Sequence, residues 1–164
     1  MDEATRQAYL KKSRDIIEEH GWLCQAVSDP QSPLRYTYTV GISVKFNHPE
    51  VIVVGVGDQM LHMRLLNAIG NEIRGGRVFR EPGYLTLPEY GIEFATGPVI
   101  PPQRVRPHTG LGTELLGGPF EAIQFYIPDP NFKFPWEDGV NPVYLEAQTL
   151  LFPSPQNMPR RQTH

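Results

Sequence analysis

The sequence predicts an α+β fold, a mixed β-sheet of about five or six strands with two helices packed on it, single domain. Three observations predict it. Two segments, 3–20 and 59–74, carry apolar residues at helical spacing and run into glycine. Between them, residues 51–56 (VIVVGV) form a continuous apolar run of the kind found in strands buried on both faces. The 17 prolines of this 164-residue chain gather after residue 81, which keeps the C-terminal half poor in helix. The length suits one domain, expected over 1–152, with 153–164 (PSPQNMPRRQTH) as a flexible C-terminal tail.

In the first helix, Tyr9, Leu10, Ser13, Ile16, Ile17 and His20 share one stripe and Gly21 stops it. Residues 22–28 are the first expected strand, followed by the turn cluster 29–33 (DPQSP). Residues 34–43 are the second, with Tyr36, Tyr38, Val40 and Ile42 on one face and Thr37, Thr39 and Gly41 on the other. The third is 51–56, the expected centre of the sheet. Asp58 caps the second helix, whose stripe is Leu61, Leu65, Ala68, Ile69 and Ile73 and whose end is Gly75-Gly76. A short strand near 77–80 would complete a βαβ-like crossover. Residues 90–96, 119–128 and 143–152 are further expected strands. Residues 101–118 read as a long loop, either a plain connection or a lid hinged on Gly110, Gly112, Gly117 and Gly118.

Several motifs then fall in a recognisable order. His20-Gly21-Trp22 precedes Tyr38-Thr39-Val40-Gly41. His48-Pro49-Glu50 leads into VIVVGV, Leu66-Asn67 follows on the helix, and AIQFYIPD with KFPWEDG closes the pattern over 122–139. In these segments the chain resembles the bacterial family catalogued as domain of unknown function 4262, over roughly 14–80 and 119–140. The resemblance implies a bacterial or phage-borne protein and implies no activity.

Charge and composition exclude some functions. Fifteen Lys and Arg against eighteen Asp and Glu leave a net charge of −3, so no strongly basic surface is available for nucleic acid. No stretch approaches the ~20 apolar residues of a membrane span. One cysteine, Cys24, and a polar N-terminus point to the cytoplasm. Gly55-Val56-Gly57-Asp58 lacks a third glycine and a Gly-Lys-Ser, and Asp58 stands where a phosphate would sit. No cofactor is therefore expected.

The candidate catalytic pair is His48 and Glu50. Two apart on an extended chain, they would project to one side, and a carboxylate beside an imidazole is the minimal general-base unit. The structural alternative is a loop whose His and Glu bind backbone groups. Asp58 and His62 share a helical face, but two ligands hold no metal and His48 lies ~23 Å away along the strand. The second helix, ~24 Å long, returns its C-terminal end to the His48 end of that strand. A pocket there would gather His48 and Glu50 with Tyr38, Thr39, Asn71 and Arg74, a set suited to an anionic or nucleotide-like ligand. Cys24 reads as buried packing rather than as a nucleophile. Phe132, Phe134 and Trp136 would share one side of an extended segment, with Trp136 the foremost candidate for a ligand or protein contact.

The resulting expectation is a non-enzymatic binding module for a small anionic ligand or a protein partner. The alternatives are a small hydrolase or transferase using His48 as base with Glu50, and an oligomeric assembly component. The oligomeric state is not readable from the sequence.

Overall fold

A computed structural model describes residues 2–28, 35–55, 58–100, 109–151 and 158–159. The turn cluster 29–33, Val56-Gly57, residues 101–108 and nearly all of the expected tail lie outside the described residues.

The chain folds as α1 (Glu3–His20), β1 (Leu23–Ser28), β2 (Arg35–Val40), α2 (Ile42–Phe46), β3 (Glu50–Val54), α3 (Gln59–Arg74), β4 (Gly83–Thr86), β5 (Glu93–Pro98), α4 (Gly110–Leu116), β6 (Ala122–Tyr126) and α5 (Pro142–Ala147). One six-stranded sheet runs β1-β2-β3-β6-β5-β4. It is mixed: β3 and β6 are parallel and the other neighbours antiparallel.

The two long helices match their sequence signals. The Asp2 carboxylate accepts from Thr5 N–H at the start of α1, and Gly21 ends the helix at φ 98°. Asp58 likewise accepts from Leu61 N–H at the start of α3. β3 is buried along its whole length, as its unbroken apolar run requires. On one face of the sheet, Val51, Val53, Ile123 and Phe125 pack against Leu65, Leu66, Ile69 and Ile73 of α3. On the other, Tyr36, Tyr38, Val40, Ile52 and Val54 pack beside Ile17 of α1 and Leu115 and Leu116 of α4. At ~25 cal/mol per Å² of apolar surface, these two layers supply most of the driving force for folding.

Four expectations are corrected. The second strand stops at Val40, because Gly41 turns at φ 123° and 42–46 coil into α2. No strand forms at 77–80; the segment runs beside the sheet, Phe79 N–H donating to His48, and the edge strand lies later, at Gly83–Thr86. The strand parallel to β3 is therefore β6, reached through α3, β4, β5 and α4 rather than through a simple βαβ unit. The segment 143–152, expected as a strand, opens as α5: Asn141 caps it through Val143 N–H, and Pro142 fits its first turn. That local signal outweighs the β propensity of Val143 and Tyr144.

The second half of the expected 101–118 loop is also helix. Gly112 of α4 is no free hinge: its N–H donates to the Tyr38 hydroxyl at 3.1 Å, and a Cβ there would stand 2.6 Å from the Tyr38 ring.

Candidate functional site

The expected His48–Glu50 pair does not form. The Glu50 carboxylate, wholly buried, turns to the start of α2 and accepts from Gly41, Ile42 and Ser43 N–H at 3.2, 3.1 and 2.8 Å. It also accepts from the Thr39 hydroxyl at 2.8 Å, and Thr39 accepts from Val51 N–H at 2.9 Å. Burial pushes the Glu50 carboxyl above the ordinary carboxylate value, against the pull of the Ser43, Thr39 and Gly41 donors. This carboxylate reaches back from the start of the next strand to cap a short helix.

His48 is buried as well. Its Nε2 accepts from Phe79 N–H at 2.8 Å, which puts the ring proton on Nδ1, where it donates to the Pro49 carbonyl at 2.8 Å. Burial holds its pKa below the ordinary histidine value, and the nearby Arg80 charge adds to the lowering. Both ring nitrogens are spent on backbone groups, so neither is offered to a substrate.

Tyr38 is buried on the α1–α4 face, away from α3. Thr39 is buried in the Glu50 cluster. Trp136 stacks on Phe134 with ring centroids 5.4 Å apart and donates to the Tyr84 hydroxyl at 3.2 Å. Its neighbour Tyr84 lies on β4, five strand spacings or ~24 Å from β1. Phe132 does not share the side of Phe134: it sits at φ 62° and is exposed, because the Asp129 carboxylate gathers the N–H groups of Asn131, Lys133 and Asn141 into a tight loop. Asp58 and His62 do not converge: Asp58 caps α3, and His62 meets the Thr37 hydroxyl at 3.3 Å. Among the described residues no three His, Cys, Asp or Glu side chains gather as a metal site would require.

Asn71 and Arg74 are elsewhere, and they lead to a cleft. A cavity of about 920 Å³ opens between the end of α1, the start of β1, α2 and the outer side of α3. Arg74 is exposed within it, with its guanidinium carbon 4.5 Å from the Trp22 ring centroid and 5.9 Å from that of Phe46. Its Nη2 donates to the His20 carbonyl. Among the described residues no carboxylate lies within ion-pair distance of it, whereas Lys45 on the rim is paired to Glu18 at 2.9 Å.

Glycine shapes this cleft twice. Gly70 lets α3 approach the indole, since a Cβ there would stand 2.5 Å from the Trp22 ring. Gly41 packs on the Gly21 carbonyl, where a Cβ would meet oxygen at 2.8 Å. The Asn67 side-chain oxygen accepts from Trp22 Nε1–H at 3.0 Å and from the Cys24 thiol at 3.5 Å. Those two bonds fix its flip and leave its N–H₂ donors without a protein partner among the described residues. Met63, Asn67, Asn71 and Arg74, at spacings of four, four and three, line one face of α3. Burial pushes the Cys24 thiol up to about 12, so it stays protonated and packs as a small apolar group. Trp22 and Asn67 were not singled out as ligand contacts by the sequence reading, although both lie in the motifs that carry the resemblance.

A family model described as a domain of unknown function, DUF4262, matches residues 16–141. The chain belongs to this DUF4262 family. The matched span contains the whole of α3 and every residue lining the cleft. No curated protein and no solved structure matches the chain.

Proposed function

We propose that this DUF4262 protein is a binding module, and that the Trp22–Arg74 cleft receives the anionic group of its ligand. One observation carries the proposal: an exposed guanidinium sits over an indole, 4.5 Å from its ring centroid, at the wall of a 920 Å³ cleft, with no carboxylate pairing it among the described residues. Such a stack is pre-organised, so little side-chain entropy is lost when a carboxylate or phosphate arrives. The N–H₂ of Asn67 offers a second donor. The His48–Glu50 alternative draws no comparable support, because both groups are engaged by backbone and, for Glu50, by the Thr39 hydroxyl as well.

The test is a thermal-shift titration with AMP, citrate and free-acid peptides as probes, on wild type and on Arg74→Gln. At least one probe is expected to raise the Tm of wild type and not that of the variant. No Arg74-dependent rise with any of the three classes would overturn the proposal.

A further inference from the structure

Resting on that cleft, we infer that its occupant is an extended peptide that adds an antiparallel strand to β1 and sets its C-terminal carboxylate on Arg74.

The position of the cleft is the first ground. β1 is an edge strand. α1 and α3 pack on opposite faces of the sheet, yet one cavity is walled by Ile16 of α1 and by Met63 and Asn67 of α3. It also touches Leu23 and Cys24, consecutive strand residues whose side chains point to opposite faces. A single cavity with those walls wraps the outer edge at the start of β1, the end from which the rest of that edge continues.

The second ground is hydrogen-bond direction. Gly55 N–H donates to the Arg35 carbonyl at 2.8 Å, so Arg35 turns its backbone toward β3. The alternation of two then turns Tyr36, Tyr38 and Val40 toward β1. Their register partners Val27, Gln25 and Leu23 face inward, which leaves the N–H and C=O groups of Cys24 and Ala26 facing outward. The Ala26 carbonyl takes only a side-chain bond, from Gln25 at 3.3 Å. Among the described residues, the outward N–H groups of Cys24 and Ala26 have no acceptor.

Folded proteins block such edges with charge, proline or a bulge. The strand LCQAVS has no charge and no proline, and its six-residue register is unbroken. The opposite edge is protected: β4 has four residues, follows Pro82, and has its Thr86 carbonyl occupied by Arg77.

Polarity and charge fix the direction. An antiparallel strand ends beside the beginning of β1, and Trp22 lies two residues, ~6.6 Å, before Cys24. A peptide residue paired with Cys24 therefore puts a carboxylate one or two residues on within the reach of Arg74. A parallel strand would bring its ammonium end to the same guanidinium, which like charge disfavours. Trp22, Phe46 and Met63 offer an apolar wall to the last side chains.

The experiment is a selection from random decapeptides displayed with a free C-terminus, followed by titration of the selected peptide by fluorescence anisotropy. Expected is binding that weakens about ten- to a hundredfold on C-terminal amidation and on Arg74→Gln, the loss of one charge-assisted hydrogen bond. Alternate N-methylation of the peptide should abolish binding, and so should Ala26→Pro. That proline removes only an outward N–H, which an edge strand tolerates, and circular dichroism checks the fold. The N-methylated peptide tests the same point without changing the protein. Binding that depends on Arg74 but tolerates N-methylation overturns strand addition and leaves the cleft standing. So does failure to select any peptide while AMP or citrate still bind through Arg74. Failure of peptides, AMP and citrate alike overturns both.

Discussion

His48→Ala separates a structural histidine from a catalytic one. The substitution strands the Phe79 N–H, which now donates to Nε2 at 2.8 Å. A buried donor without an acceptor costs ~1–3 kcal/mol. The edge-to-face contact between the His48 and Phe79 rings, centroids 6.1 Å apart, adds ~0.5–1 kcal/mol. The expected loss is about 1.5–4 kcal/mol at pH 7.5, which lowers Tm by roughly 3–16 °C in a domain of this size.

The pH dependence has a definite sign. The native pKa of His48 lies below the ordinary histidine value of 6.5, so as pH falls the unfolded chain takes up the proton first. Wild type loses stability as pH drops from about 6.5 toward the native pKa. His48→Ala has no such loss, so the gap between the two proteins narrows in acid. Urea unfolding at several pH values between 7.5 and 5 measures both effects. A loss under ~1 kcal/mol, or a gap that widens in acid, would refute the reasoning.

Three further outcomes follow from the same contacts. Glu50→Ala should cost about 3 kcal/mol or more in urea unfolding, because Gly41, Ile42 and Ser43 lose their common acceptor and α2 its cap; a neutral result would remove the carboxylate from the architecture. Gly70→Ala should destabilise by ~1–3 kcal/mol and displace Trp22, since the new methyl would stand 2.5 Å from a ring held by Asn67; an unchanged Tm and an unchanged Trp emission spectrum would contradict it. Iodoacetamide should alkylate Cys24 at pH 8 at least about a hundredfold more slowly than it does glutathione, given a thiol pushed up to about 12, whereas a comparable rate would contradict that upward push.

The parts of the fold legible in the sequence are those fixed locally. α1 and α3 each carry a stripe, an Asp cap and a following glycine within one segment. β3 announces itself because its residues 51–54, covered on both faces, are all apolar. What escaped is non-local. α2 depends on the Glu50 carboxylate, which reaches back from the next strand to the N–H groups of residues 41–43. α4 is masked by its glycines, and the need for Gly112 appears only when Tyr38 is placed against it. At the site, the return of the second helix put Asn71 and Arg74 at one end of the sheet. Their partners there are Trp22 and Phe46, from segments whose own patterns say only strand and loop. His48 and Glu50, which look like a catalytic pair when written in a row, bind separate backbone segments.

The Trp22 indole gives the most direct test of the cleft. Its Nε1–H donates to Asn67 inside the cavity, and the only other tryptophan, Trp136, stacks in a separate cluster around Tyr84 on β4. Two indole resonances are therefore expected in a ¹⁵N–¹H correlation spectrum, assigned with Trp136→Phe. Titration with whichever probe binds in the thermal-shift or peptide experiments should move the Trp22 indole signal and leave that of Trp136 in place. A ligand that saturates the protein while the Trp22 resonance stays fixed, or that moves Trp136 alone, would contradict the placement of the binding site between α1, β1 and α3.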